Sequence, residues 1–171
     1  VKHAIACANG TDALLIVLRA WNIGPGDAVF VPAFTFAASA EVVALVGASP
    51  VFVDVLEDTF NMDPQSLEAA IAMVKREGRL KPRAVMPVDL FGQTADYRVL
   101  EPIIRRENLK MLCDAAQGFG GLLDGRRSGG IGDAAATSFF PAKPLGCFGD
   151  GGASFTNDDG LADLLRSIRI H

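Results

Sequence analysis

Short apolar runs recur along this chain with amphipathic helical stretches between them, and that alternation limits its folds more than any other feature. Asn9-Gly10-Thr11-Asp12 opens a helix over residues 13–21, which Gly24-Pro25-Gly26-Asp27 stops. Residues 28–31 read as a strand that leads through Pro32 into a helix over about 36–46, and 50–55 read as the next strand. The pattern then predicts helix 64–77, strand 84–90, helix 97–107 and strand 110–113. Its character changes at residues 120–130, where glycines flanking Leu-Leu-Asp-Gly-Arg-Arg predict an antiparallel hairpin. Strands at 134–139 and 153–156 and a helix over 160–170 complete the series. Apolar strands separated by helices imply an α/β fold: a mostly parallel sheet covered on both faces, with ligands at the carboxyl ends of its strands.

Half of the 171 residues are hydrophobic, enough for a core of single-domain size. The formal net charge of −4 gives no electrostatic reason to expect nucleic acid or an anionic membrane as a partner. No apolar run has the length of a membrane span, and nothing reads as a signal peptide. Lys75, Arg76, Arg79, Lys81 and Arg83 end a predicted helix and read as a solvated face. Cys7, Cys113 and Cys147 are scattered and odd in number, which predicts no disulfide framework and no metal site; a reducing cytoplasm is the simplest location. The histidines, His3 and His171, stand at the chain ends, so interior acid–base chemistry falls to Lys, Asp, Glu, Tyr or Cys. The sequence starts at Val1 inside an apolar run and stops at His171 with a helical pattern still running, and it reads as a fragment.

Four predicted strand ends or helix starts carry polar residues in apolar surroundings. The first is Ser138-Phe139-Phe140-Pro141-Ala142-Lys143-Pro144-Leu145-Gly146, where one lysine stands between two prolines after an apolar run. A lysine is ordinarily a solvated surface charge. Here the prolines stiffen the loop, and partial desolvation at a strand end favours the neutral amine that attacks a carbonyl, the requirement of a Schiff-base lysine. Ser138 is placed to hold a phosphate, or is a plain loop serine. The second segment is Asn9-Gly10-Thr11-Asp12, whose glycine, helix-start amides and Thr11 hydroxyl suit a phosphate, with the Asp12 contact assigned to its backbone amide. An ordinary N-cap explains the same residues.

In the third, Cys113-Asp114-Ala115-Ala116-Gln117, an aspartate ends an apolar strand and is desolvated unless a cation such as a protonated pyridine nitrogen pairs with it. A turn cap is the alternative, and Gln117 is spaced to donate to the same ligand. In the fourth, Pro32-Ala33-Phe34-Thr35-Phe36, an aromatic ring at a strand-to-helix loop suits a flat ligand, although such rings are more often core. Phosphate site, aromatic cover, pyridinium partner and reactive lysine are together the parts that a pyridoxal phosphate enzyme needs.

Asn-Gly-Thr-Asp-Ala-Leu at 9–14, Gly-Pro-Gly-Asp at 24–27, Pro-Ala-Phe-Thr-Phe at 32–36, Pro-Val-Asp-Leu-Phe-Gly-Gln at 87–93, Asp-Ala-Ala-Gln at 114–117 and Ser-Phe-Phe-Pro-Ala-Lys at 138–143 resemble the DegT/DnrJ/StrS family of nucleotide-sugar aminotransferases. The resemblance runs from about Ala6 to His171. It implies the large domain of a fold-type I pyridoxal phosphate enzyme, a three-layer α/β/α unit whose mixed, mostly parallel sheet has one reversed strand. Residues 1–171 would form that domain, with an N-terminal segment and a smaller C-terminal domain absent. The resemblance makes Lys143 the Schiff-base lysine, Asp114 the partner of the ring nitrogen, Gln117 a contact of the ring hydroxyl and Phe36 the ring cover. Gly10, Thr11, the Asp12 amide and Ser138 would hold the phosphate. Dehydratase members carry histidine in place of this lysine, so Lys143 implies transamination. The implied reaction moves an amino group from an amino acid, by resemblance glutamate, to a nucleotide-linked keto sugar, with the UDP-linked 3-keto uronic type of surface-polysaccharide pathways favoured. The family's sites are completed across a homodimer.

Rival readings are a fold-type I lyase or desulfurase, for which Cys147 is the cysteine near Lys143, and a catalytically inactive interaction domain. A Rossmann dinucleotide module fails at its fingerprint, because Gly118-Phe119-Gly120 is followed by Leu123 where the third glycine belongs.

Overall fold

The structure is a computed structural model that describes residues 1–170. His171, the end of the expected link to a second domain, lies outside the described residues. In chain order the elements are β1 (His3–Cys7), α1 (Gly10–Ala20), β2 (Asp27–Pro32), α2 (Ala38–Leu45), β3 (Ser49–Val53), α3 (Pro64–Glu77), β4 (Lys81–Val85), α4 (Tyr97–Arg106), β5 (Lys110–Asp114), β6 (Leu122–Leu123), β7 (Arg126–Arg127), β8 (Ala134–Ser138), β9 (Gly152–Thr156) and α5 (Asp159–Ile170).

Local chemistry explains the helix ends. Asp63 caps α3 by accepting the Gln65 amide, Pro64 fits the first turn, and Gly78 ends the helix in the left-handed region at φ 66°. Asn9 caps α1 through the Asp12 amide.

Seven strands form one sheet in the order β1-β9-β8-β5-β4-β2-β3. β8, β5, β4, β2 and β3 pair in parallel, whereas β9 is antiparallel to both of its neighbours, β8 and β1. Within this sheet β9 is thus the one strand running against the rest, as the resemblance implied. β6 and β7 form the expected separate hairpin.

Alternate residues of the strands feed two cores. Val29 and Val31 join Ile5, Met86, Leu112 and Ala136 beneath α1, α2 and α5, which contribute Leu14, Val17, Val42, Val43 and Leu165. Ala28 and Phe30 join Val85, Met111 and Cys113 on the other face, beneath Leu67 and Ile71 of α3 and Leu100 and Ile104 of α4. Period-2 alternation therefore divides each buried strand between two helical layers, giving an α/β/α sandwich.

Two elements depart from expectation. β1 was not predicted, because the apolar stretch Ala4-Ile5-Ala6-Cys7 becomes an edge strand only by pairing with β9 at the other end of the chain, which no local pattern announces. β4 ends at Val85, although 84–90 read as its span. Pro87 has no amide to give the ladder, and beyond it only Val88 pairs with β5, as an isolated bridge to Asp114.

Candidate active site

The carboxyl ends of β1, β5 and β8 converge on one side of the sheet, and the loops that leave them surround a cavity of about 570 Å³. Gly10, Thr11, Asp12, Phe36, Asp114, Gln117, Ser138 and Lys143, the eight residues singled out from the sequence, all line it.

The start of α1 is wedged between the end of β8 and the start of β9. A Cβ on Gly10 would lie 2.7 Å from Cβ of Ser138, and one on Gly152 would lie 2.3 Å from the Asn9 carbonyl oxygen. Only glycine permits this closeness, which brings the first turn of α1 beside the Ser138 hydroxyl. Asn9 Oδ1 accepts the Asp12 amide at 2.8 Å, and Asn9 Nδ2 donates to the Asp12 carboxylate at 3.2 Å. The expectation that the Asp12 amide meets an anion therefore has a competitor within the protein. Among the described residues, the amides of Gly10 and Thr11 have no partner, as the first turn of a helix leaves them. Ser138 Oγ accepts the Phe140 amide at 3.2 Å, and its own proton is not committed.

Asp114 is buried at the end of β5. Its Oδ1 accepts the Ala116 amide at 3.1 Å and its Oδ2 accepts the Ser39 hydroxyl at 3.1 Å. Burial pushes its carboxyl above the ordinary value; the Ala116 and Ser39 donors oppose this, the Asp89 charge adds to it and the Lys143 charge opposes it. A desolvated carboxylate held by two neutral donors attracts a cation. Gln117 is half-buried; its Oε1 accepts the Phe91 amide at 2.7 Å, which leaves Nε2 as the donor.

Lys143 lies in the loop that joins the antiparallel pair β8 and β9. Its amide donates to the Phe140 carbonyl at 2.8 Å, and the Phe139–Gly151 and Cys147–Phe139 backbone bonds close the loop. The side chain is half-buried, and Nζ stands 5.9 Å from the centroid of the Phe36 ring. Phe36 is 66% exposed, so it is no core residue. Cys147 Sγ donates to the carbonyls of Phe139 and Gly149 at 3.0 Å and does not line the cavity, which gives a desulfurase nucleophile no support. No cluster of three metal-ligating side chains occurs among the described residues, and no helix among them is long and apolar enough to cross a membrane.

Sequence reasoning missed two residues. Ser39, buried in α2, passes a hydroxyl chain from Thr35, 3.0 Å away, to Asp114. Asp89, fully buried after β4, has the Ala95 amide, Tyr97 hydroxyl and Ser128 hydroxyl as donors. A serine inside an apolar helix and an aspartate after an apolar run were the available signals, and neither names its partner.

Residues 1–171 match the family described as the DegT/DnrJ/EryC1/StrS aminotransferase family. The chain belongs to that family. Among family relatives, UDP-2-acetamido-2-deoxy-3-oxo-D-glucuronate aminotransferase of Pseudomonas aeruginosa is 51% identical over 170 residues, 99% of this chain and 45% of the relative. The crystal structure of a DegT DnrJ EryC1 StrS aminotransferase from Brucella abortus superposes with a TM-score of 0.97 at 62% identity, covering 98% of this chain and 45% of that one. NtdA from Bacillus subtilis, solved with bound cofactor PMP, superposes with a TM-score of 0.85 at 35% identity, covering 96% of this chain and 35% of that one. The chain thus spans less than half the length of these DegT-family proteins.

Proposed function

We propose that residues 1–171 are the cofactor-binding large domain of a pyridoxal phosphate-dependent nucleotide-sugar aminotransferase. The observation that carries this reading is the convergence of the eight residues on one cavity. The donor set fits the group: uncommitted amides and hydroxyls for a phosphate, a buried carboxylate without a paired cation for a protonated ring nitrogen, an exposed aromatic face and a primary amine. The cavity volume also lies within the ordinary range for small-molecule sites.

When bound, pyridoxal phosphate supplies an aldehyde that takes up an amino group and a ring that accepts the electrons freed at the donor carbon. The amides of Gly10 and Thr11, the Thr11 and Ser138 hydroxyls and the dipole of α1 bind the phosphate, with the Asp12 amide in reach once Asn9 yields it. Asp114 would keep the ring nitrogen protonated, Gln117 would offer Nε2 to the ring hydroxyl, and Phe36 would cover the ring. Lys143 would hold the group through Nζ, and its amine would be the base that carries the donor's α-proton.

Glutamate is the donor in this reading, and the acceptor is a UDP-linked keto hexose of the 3-keto uronic type, supported by the name of the P. aeruginosa relative. The protein works in the cytoplasm as a homodimer, in surface-polysaccharide synthesis. Incubating it with pyridoxal phosphate and then borohydride tests the core of the proposal. An absorbance band beyond the protein's own and a reduced adduct on Lys143 are expected, both lost in Lys143→Ala. Absence of band and adduct in the wild-type protein overturns the reading.

A further inference from the structure

Among the described residues, Asp89 is the one fully buried carboxylate that the chemistry above leaves without a task. Its Oδ1 accepts the Ala95 amide at 3.0 Å and the Tyr97 hydroxyl at 2.6 Å, while its Oδ2 accepts the Ser128 hydroxyl. One side chain thus ties together the segment after β4, the start of α4 and the segment after β7.

The same residue borders the cavity-lining turn after β5. The Asp89 amide donates to the Asp114 carbonyl and the Asp114 amide donates to the Pro87 carbonyl, each at 2.9 Å. Gly118 is seated against the carboxylate so closely that a Cβ there would lie 2.5 Å from Cβ of Asp89 and 2.6 Å from Ser128 Oγ. Two residues beyond Asp89, Phe91 sits in a 3-10 turn with φ 59°, a left-handed conformation that a bulky side chain seldom adopts unless its surroundings impose it. The Phe91 amide holds Oε1 of Gln117 at 2.7 Å. From Asp89, contacts run to Asp114 through the backbone and to Gln117 through the strained turn.

We propose that Asp89 is a positioning residue: by holding three donors it fixes the turn at residues 90–92 and the turn at residues 114–118, and so sets where Asp114 and Gln117 face the cavity. The pairing requires no change of protonation. Asn at this position keeps an oxygen for Ala95 and Tyr97 and offers an amide to the Ser128 oxygen, whereas Ala leaves all three donors buried and unpartnered. The role rests on the cofactor reading for its consequence, not for its geometry.

The test uses the full-length protein with Asp89→Ala, Asp89→Asn and Ser128→Ala. In the cofactor-free protein, hydrogen exchange at the Phe91 and Gly118 amides is expected to speed up in Asp89→Ala while the sheet amides of β2 keep wild-type protection. In the folded protein, pyridoxal phosphate is expected to bind roughly tenfold more weakly, with a reduced cofactor circular dichroism band, and Asp89→Asn is expected to restore both. If Asp89→Ala does not fold, Ser128→Ala is expected to move the same readouts in the same direction by about threefold. Folded variants with wild-type exchange at Phe91 and Gly118, wild-type affinity and a wild-type band, whatever their melting temperature, would overturn the positioning role. Failure of the wild-type protein to bind pyridoxal phosphate would sink the proposed function instead, and the exchange arm would still decide Asp89.

Discussion

Asp114 is where residue chemistry and position meet. Burial holds its carboxyl above the ordinary value of 3.8, so the folded protein keeps that proton more tightly than the unfolded chain does. This contribution to stability is complete below the unfolded value and is lost as pH rises through the raised folded value. Asp114→Asn removes the buried charge while retaining an oxygen for Ala116 and an amide for Ser39. The cofactor-free variant is therefore expected to be more stable than wild type at pH 7, with the gain vanishing below the unfolded value. Denaturant unfolding at two pH values checks this, and equal destabilisation at both would contradict it. The same substitution is expected to leave cofactor binding largely intact and to slow transamination roughly a hundredfold or more. The sequence made Asp114 conspicuous, because an aspartate closing the run Met111-Leu112-Cys113 needs a reason to be there. It did not reveal Ser39 or Asp89, because a hydrogen bond spanning 75 residues, as between Ser39 and Asp114, leaves no local pattern.

At the scale of elements, the decisive unit is α1 with the two strands that pinch its start. Gly10 is needed for the close approach of Ser138, not for its own dihedral, since no positive φ occurs there. Gly10→Ala forces its Cβ against Ser138 and is expected to destabilise the fold by about 1–3 kcal/mol. It is also expected to weaken binding of pyridoxal phosphate more than that of pyridoxal, which lacks the phosphate. Calorimetric titration of the two ligands separates these effects, and equal losses for both would remove the phosphate role from the α1 terminus. The capping signature of α1 was legible as sequence, and so was the hairpin at β6 and β7, because caps and tight turns are written in neighbouring residues. β1 was not legible, since an edge strand draws its stability from a partner, β9, about 150 positions away in register pairs such as His3 with Thr156.

For the whole molecule, the alternation of strands and helices places every candidate loop at one end of the sheet, and a ligand there ties together segments from residue 9 to residue 150. Pyridoxal phosphate at a hundredfold excess over its Kd is expected to stabilise the fold by about 2.7 kcal/mol, a rise of a few degrees in melting temperature. A thermal scan with and without the cofactor measures it, and an unchanged midpoint would mean that the ligand does not select the folded state.

By itself the sequence determined the kinds of element, their order, the two-sided burial of the strands and the residue types able to do the chemistry. Periodicity, caps and turns act between near neighbours, and side-chain chemistry belongs to single residues. The reversal of β9, the seating of α1 against Ser138 and the placement of Lys143, Phe36 and Asp114 around one cavity were decided only by the tertiary structure. These depend on which strand lies beside which, and that choice is made by the packing of two cores across the whole sheet.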